Sequence, residues 1–230
     1  MSQRKPKRPV TKKKPAPRAH GVVSGNKPLR PAPPLPTNAP PSPSAALLKL
    51  DLGCGPNKKA GFLGVDQYPF PNIDFQVNLG DRNTPWPWPN NSVEEVHCSH
   101  FLEHLTQDER VHFMNELFRV LTPGGKALLI TPHWASNRAY GDITHKWPAI
   151  SEMFFFYLNA AWRQQNAPHT DLQWNPLGFN CDFDFGANYN TDPELIGKSD
   201  ETQRYMMKFF KEAAQDIMCT ITKRIPTPAA

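Results

Sequence analysis

The run Leu50-Asp51-Leu52-Gly53-Cys54-Gly55-Pro56-Asn57, with Gly64-Val65-Asp66 close behind it, decides how the rest of the chain is read. A short apolar strand that stops in glycines lets backbone come close to a ligand. In an open parallel sheet, ligands bind outside the carboxyl ends of the strands, where the strand order reverses. A carboxylate that ends the second strand then stands where it can accept hydrogen bonds from both hydroxyls of a ribose, and Asp66 occupies that place. The glycine spacing also excludes a class. Gly53-Cys-Gly55-Pro-Asn-Lys58 lacks the third glycine that close helix-strand packing requires in a nicotinamide-dinucleotide motif.

Outward from this run the chain alternates short apolar stretches with turn residues. Leu47 to Leu52, Phe62 to Val65, Ile73 to Leu79, Val93 to Cys98 and Ala127 to Thr131 read as five strands. Between the last two, Thr106-Gln-Asp-Glu109 is a capping box, and Val111, Met114, Leu117, Phe118 and Leu121 repeat at helical spacing until Pro123-Gly124-Gly125. Strand, helix, strand in this rhythm predicts a parallel sheet. An aromatic-rich insertion at about 133–178, including Trp134, Trp147, Phe154 to Tyr157 and Trp174, is expected to be partly helical and to cover the sheet's carboxyl edge. The run Phe154 to Tyr157 in it reads as core. A strand near Phe179 to Phe185, a helix from about Asp200 to Ala214 and a strand from Ile217 to Lys223 would close the fold.

These residues carry a resemblance. Leu50 to Gly55 resembles the first motif of class I S-adenosylmethionine-dependent methyltransferases. Leu79-Gly80-Asp81 with Trp86-Pro87-Trp88-Pro89-Asn90-Asn91-Ser92 resembles the family's G-D-x(4)-L-P-F-x-D-x-S stretch. Ser99-His100-Phe101-Leu102-Glu103-His104-Leu105 is similar to the segment after the fourth strand, and Leu121-Thr122-Pro123-Gly124-Gly125 to the turn before the fifth. The resemblance implies an α/β fold of Rossmann-like type, with a mainly parallel seven-stranded sheet and an antiparallel last strand. It implies S-adenosylmethionine as cofactor, bound by Asp51, Gly53, Cys54, Gly55, Asp66, Gln67, Asp81, Ser99 and His100, with Asp66 on the ribose and Asp81 on the adenine amino group. Asp51 reads as a support for the glycine loop. The segment Asp142-Ile-Thr144-His145-Lys146 looks like a phage and bacterial subfamily. Only ten residues separate Gly55 from Asp66, so the helix usual after the first motif is expected to be a loop, and Lys58 or Lys59 to compensate for its missing N-terminus.

Methyl transfer from a sulfonium is an in-line displacement that needs a base only if the acceptor must lose a proton. His100, His104, His133 and His145 are the candidates, with His145 favoured as catalytic and Asp142 as its orienter. Against this stand plain structural roles: His100 and His104 as satisfied polar groups on a helix face, Asp142 to His145 as a turn. Asp182 and Asp184 have metal-ligand spacing without an evident third ligand, so no metal site is expected.

Composition sets the remaining bounds. Of the net charge of +5, residues 1–50 hold eleven Lys/Arg and no acid, whereas residues 51–230 hold fifteen Lys/Arg against twenty-one Asp/Glu, so a basic tail precedes an acidic body. Twelve of the twenty-six prolines lie in residues 1–45, a segment expected to be disordered and joined to one domain over 46–230. Arg30 to Pro36 fits an R-x-x-P-x-x-P form that arises by chance in such tracts. The tail suits nucleic acid or an acidic partner protein, or is simply a solvated extension. The four cysteines are widely spaced, which reads as reduced thiols in a cytosol-like compartment. No apolar run suggests a membrane span or signal peptide. No D-P-P-Y tetrapeptide follows the fourth strand and no Pro-Cys dipeptide occurs, which disfavours exocyclic-amine and cytosine-C5 DNA methylation. The acceptor stays open among nucleic acid, protein, glycan and small molecule. A noncatalytic adaptor is the alternative, with the intact glycines and carboxylates against it.

Overall fold

The computed structural model describes residues 46–170, 172 and 178–225. The basic segment 1–45 and Trp174 lie outside the described residues. Seven strands form one sheet: β1 (Leu48–Leu52), β2 (Leu63–Asp66), β3 (Phe75–Gln76), β4 (Val93–Ser99), β5 (Leu121–Pro132), β6 (Phe183–Thr191) and β7 (Ala214–Lys223). Their spatial order is β3-β2-β1-β4-β5-β7-β6. Strands β1 to β5 pair in parallel, and β7 runs antiparallel between β5 and β6. This is the mainly parallel Rossmann-like sheet with an antiparallel last strand that the resemblance implies. The order reverses between β1 and β4, so Gly53 and His100, one residue beyond each strand, flank the switch point.

Helix α1 (Gln107–Val120) packs on the sheet through Val111, Phe113, Met114, Leu117 and Val120; of the expected apolar face Val111, Met114 and Leu117 are buried, Phe118 is partly buried and Leu121 lies in β5. Its capping box forms as read: Glu109 Oε2 accepts the Thr106 N–H at 2.7 Å, and Thr106 Oγ1 accepts the Glu109 N–H. Trp86 and Trp88 are buried edge-to-face beside it, Trp86 against Phe113 and Trp88 against Phe75, which closes the β3 side of the core.

Several boundaries differ from the expected ones, each for a local reason. The helix ends at Val120 and the chain enters β5 at once, so Pro123-Gly124-Gly125 is a bulge inside the strand and not a stop before it. The register with β4 jumps there from Val93↔Leu121 to Glu95↔Lys126. A β-carbon on Gly125 would stand 2.8 Å from the Thr122 carbonyl oxygen, so the bulge needs a glycine. Strand β3 is only Phe75–Gln76, an edge strand. Strand β6 begins at Phe183 and runs to Thr191, because Phe183, Phe185, Ala187 and Tyr189 alternate inward while Asp184, Gly186, Asn188 and Asn190 face out. At the other end, helix α5 (Asp200–Phe209) stops early and β7 starts at Ala214, with Glu212 at φ +65 turning the corner between them.

Among the described residues the insertion carries three short α-helices, α2 (Arg138–Gly141), α3 (Glu152–Phe156) and α4 (Ala160–Asn166). Phe155 and Leu158 are buried in the core, while Trp134 and Trp147 are exposed. Arg110 fastens this insertion to α1. Its guanidinium is buried and donates to the carbonyls of Leu102, Lys146 and Pro148 at 3.0, 3.1 and 2.6 Å. Among the described residues no helix is long and apolar enough to cross a membrane.

Candidate functional site

The segment after β1 contains no helix; residues 53–62 form an irregular loop, as the short spacing predicts. Gly53 has φ +66, and a β-carbon there would lie 2.3 Å from the Phe101 ring, so only glycine fits. The N–H groups of Gly53 and Cys54 both donate to the Val65 carbonyl, at 2.8 and 3.2 Å. The elbow is thereby tied to β2. Gly55, at φ +54 with open space beyond it, donates its N–H to Asp66 Oδ2 at 2.9 Å, and Tyr68 N–H donates to Asp66 Oδ1 at 2.9 Å. Each carboxylate oxygen of Asp66 keeps one further lone-pair direction.

Asp51 is buried beneath the elbow. Its Oδ1 lies 2.7 Å from His97 Nδ1 and its Oδ2 accepts the Lys59 N–H at 2.7 Å, so it holds the loop from below and both oxygens are engaged within the protein. The Cys54 thiol turns toward the Gly55 carbonyl, and burial pushes it up to about 11, so it stays protonated. Gln67 is exposed beside Asp66, and Ser99 ends β4 in register with Ile130. Lys58 is taken up elsewhere: its Nζ donates to Asp74 Oδ2 at 2.7 Å, and that same oxygen accepts the Gly64 N–H. Lys59 lies over the Phe62 ring, 5.0 Å from its centroid.

Asp81 stands on the loop after β3. It accepts from the Asn83 N–H at 3.0 Å and the Thr84 hydroxyl at 2.8 Å, which together hold it below the usual carboxylate range. No contact joins it to Asp66. The two loops share a wall instead, the turn at residues 101–105: Gly53 abuts Phe101 and Gly80 abuts Leu105.

That turn opens with His100 at φ +52, a left-handed residue at a strand end. His100 Nδ1 lies 3.2 Å from Glu103 Oε1, and this hydrogen bond raises the His100 pKa. Glu103 is buried, with Thr131 Oγ1 donating to its Oε2 at 3.3 Å. His104 and His145 meet with ring centroids 4.8 Å apart. His145 Nδ1 faces the Ala139 carbonyl at 3.1 Å, whereas Asp142 Oδ2 is 4.0 Å from His145 Nε2, beyond hydrogen-bonding distance. Asp142 instead accepts from the Thr144 N–H at 2.8 Å and the Thr144 hydroxyl at 2.7 Å. His133 is set apart from this group. It is buried, accepts the Ala135 N–H on Nδ1 and meets Glu152 through Nε2 at 3.1 Å. Asp182 and Asp184 face Arg224 at 3.6 and 3.5 Å, which accounts for their spacing without a metal.

The meeting of Glu103, His104 and His145 has no signal in local spacing, since forty residues separate the two histidines. An apolar cavity of about 310 Å³ lies elsewhere, between α1 and the insertion, lined by Val111, Met114, Phe154 and Leu158 and by none of the elbow residues.

Residues 50–129 match the family described as "Methyltransferase domain". The sequence has no significant match among curated proteins. Among solved structures, an S-adenosylmethionine-dependent methyltransferase from Archaeoglobus fulgidus shares the fold, with TM-score 0.52 and 17% identity over 78% of this chain and 87% of that one. A 1,6-didemethyltoxoflavin-N1-methyltransferase from Burkholderia thailandensis, solved with S-adenosylhomocysteine, is similar at TM-score 0.46 and 11% identity, covering 77% and 71% of the two chains.

Proposed function

We propose that this chain, an S-adenosylmethionine-dependent methyltransferase, holds its methyl donor against the Gly53–Gly55 elbow with Asp66 on the ribose and Asp81 on the adenine, and presents it to an acceptor on the His100–His104 side. The observation that carries this reading is the Gly55 N–H bond to Asp66 Oδ2, which fixes a strand-end carboxylate against a glycine loop at the sheet's switch point.

The donor supplies an electrophilic methyl group whose sulfonium charge disappears on transfer; the residues of this chain bind and orient it. Gly53 and Gly55 let backbone approach, Cys54, Gln67, Ser99 and His100 border the same edge, and Asp51 acts through the loop it holds. Because Lys58 is bound to Asp74, it fixes the loop to β2 and is not a substitute for the missing helix N-terminus. His145 is the base candidate, its Nε2 left as the lone-pair nitrogen by the Ala139 carbonyl on Nδ1; Asp142 stands 4.0 Å from that nitrogen and makes its hydrogen bonds to Thr144 instead.

The Asp142–Lys146 segment supports the phage and bacterial branch. The basic segment 1–45 supports a polyanionic acceptor or an acidic partner, and four free cysteines support a reducing, cytosol-like compartment. Calorimetric titration of the full chain with S-adenosylmethionine tests the donor site, with tight binding expected for the wild type and weakened binding for Asp66→Ala and Asp81→Ala. Equal affinities in all three would discard the assignment. Labelled methyl donor in a fractionated host extract, with and without residues 1–45, then asks which class of molecule takes the label.

A further inference from the structure

We infer that Glu103, His104 and His145 form a binding site for a divalent transition-metal ion such as Zn2+ or Mn2+. One ligand atom from each, two imidazole nitrogens and a carboxylate oxygen, lies within 4.8 Å of the others. Around an ion with bonds of about 2.1 Å, ligand atoms stand about 3–4 Å apart, so side-chain shifts of up to about one ångström close the set.

The neighbours also impose a protonation pattern on the two rings. A backbone carbonyl only accepts, so the Ala139 oxygen puts the ring proton of His145 on Nδ1 and leaves Nε2 with its lone pair. The Asp142 carboxylate accepts the single proton of the Thr144 hydroxyl. That hydroxyl must therefore accept from His104 Nδ1, 3.0 Å away, which leaves His104 Nε2 with its lone pair as well. Both histidines are thus held in the tautomer that a metal requires, each by an acceptor on its far nitrogen, as supports of metal-bound imidazoles are. The carboxylate is anchored in the same way, with Thr131 on Glu103 Oε2. The two lone-pair nitrogens thus belong to the same cluster as a carboxylate whose own partners are the Thr131 hydroxyl and His100 Nδ1.

The frame is rigid. The Lys146 N–H donates to the Glu103 carbonyl at 2.7 Å, and Arg110 clamps the carbonyls on either side of Trp147, so His145 is fixed over the 102–104 turn. Two histidines and one carboxylate leave coordination positions open to water or to an acceptor oxygen, and with the ion bound His145 Nε2 is a ligand and no longer the free base. His100 and Asp142 stand within reach as further donors, at 3.2 Å from Glu103 Oε1 and 4.0 Å from His145 Nε2.

The test uses the full chain without a histidine tag, stripped with EDTA and titrated calorimetrically with ZnCl2 and with MnCl2 in the absence of methyl donor. One ion per chain is expected for at least one metal, weakened at least about a hundredfold in His104→Ala and His145→Ala. Thr144→Val, which removes only the tautomer lock, is expected to weaken it about tenfold. If the alanine variants do not fold, the wild type decides through protection of His104 and His145 from diethylpyrocarbonate by the bound metal. Absence of stoichiometric binding, binding indifferent to both histidines, or modification unaffected by the metal overturns the site. Donor affinity, titrated separately, reports on the methyltransferase reading alone.

Discussion

The Phe101 ring occupies the place where a β-carbon on Gly53 would stand, 2.3 Å from its Cδ2. Two parts of the sheet edge, the exits of β1 and β4, are in this way fitted to each other by the absence of one methyl group. Gly53→Ala must both adopt φ +66 and displace Phe101, and is expected to cost about 2 kcal/mol or more. Gly55→Ala meets only the backbone penalty, about 1 kcal/mol. Urea midpoints compare the two, and donor affinity should fall in the same order; equal losses would mean that Phe101 yields freely.

Asp66→Asn keeps the shape of the side chain but replaces one acceptor oxygen with an NH2 group that meets an N–H. Charge-assisted hydrogen bonds are worth about 1.5–3 kcal/mol each, so donor affinity is expected to fall about 10- to 100-fold. The chemical shift of the Gly55 amide should move with it. Unaltered affinity would place the ribose elsewhere.

Arg110→Met removes the donor for three carbonyls, those of Leu102, Lys146 and Pro148. Burial pulls the Arg110 guanidinium down to about 10, so it remains charged at neutral pH and its three acceptors stay satisfied. The expected loss is about 3 kcal/mol or more, with faster amide exchange at Lys146, and Arg110→Lys should rescue it poorly because one ammonium cannot span the fork. Full stability in the lysine variant would refute the clamp.

Lys223 Nζ is held by the Leu121 carbonyl and Asn91 Oδ1 at 2.7 Å each, and burial lowers its pKa from 10.5 to about 8. Between these values the unfolded chain binds a proton that the folded chain does not, so this group makes stability rise with pH from about 8 to 10.5. Below about 8 its burden on the fold is constant. The stability difference between wild type and Lys223→Met, measured at pH 7.5, 9 and 10, should therefore grow in favour of the wild type; a difference independent of pH would refute the shift.

The parallel half of the sheet was legible because it obeys local rules. The apolar run to Leu52, the glycine exit and the capping box at Thr106 each act over a few residues, and each formed as read. The second half resisted for a physical reason: β6 alternates through Gly186, Asn188 and Asn190, residue types with a low strand preference, and pairing with β7 outweighs that preference. The elbow contacts were legible in type, since glycines and Asp66 lie near one another along the chain. The Glu103, His104 and His145 grouping was not, because the Arg110 clamp that brings residue 145 back to the 102–104 turn has no signature in spacing.

The antiparallel β7 has a consequence for biosynthesis. It lies between β5 and β6, so until residues 214–223 have left the ribosome, both of those strands expose an unpaired backbone edge. The nascent chain must hold β5 ready across more than eighty residues before its neighbour arrives, a long loop to close. Chains cut short before residue 214 would therefore be sticky and edge-exposed, left for proteases and chaperones to clear whatever the state of the glycine elbow.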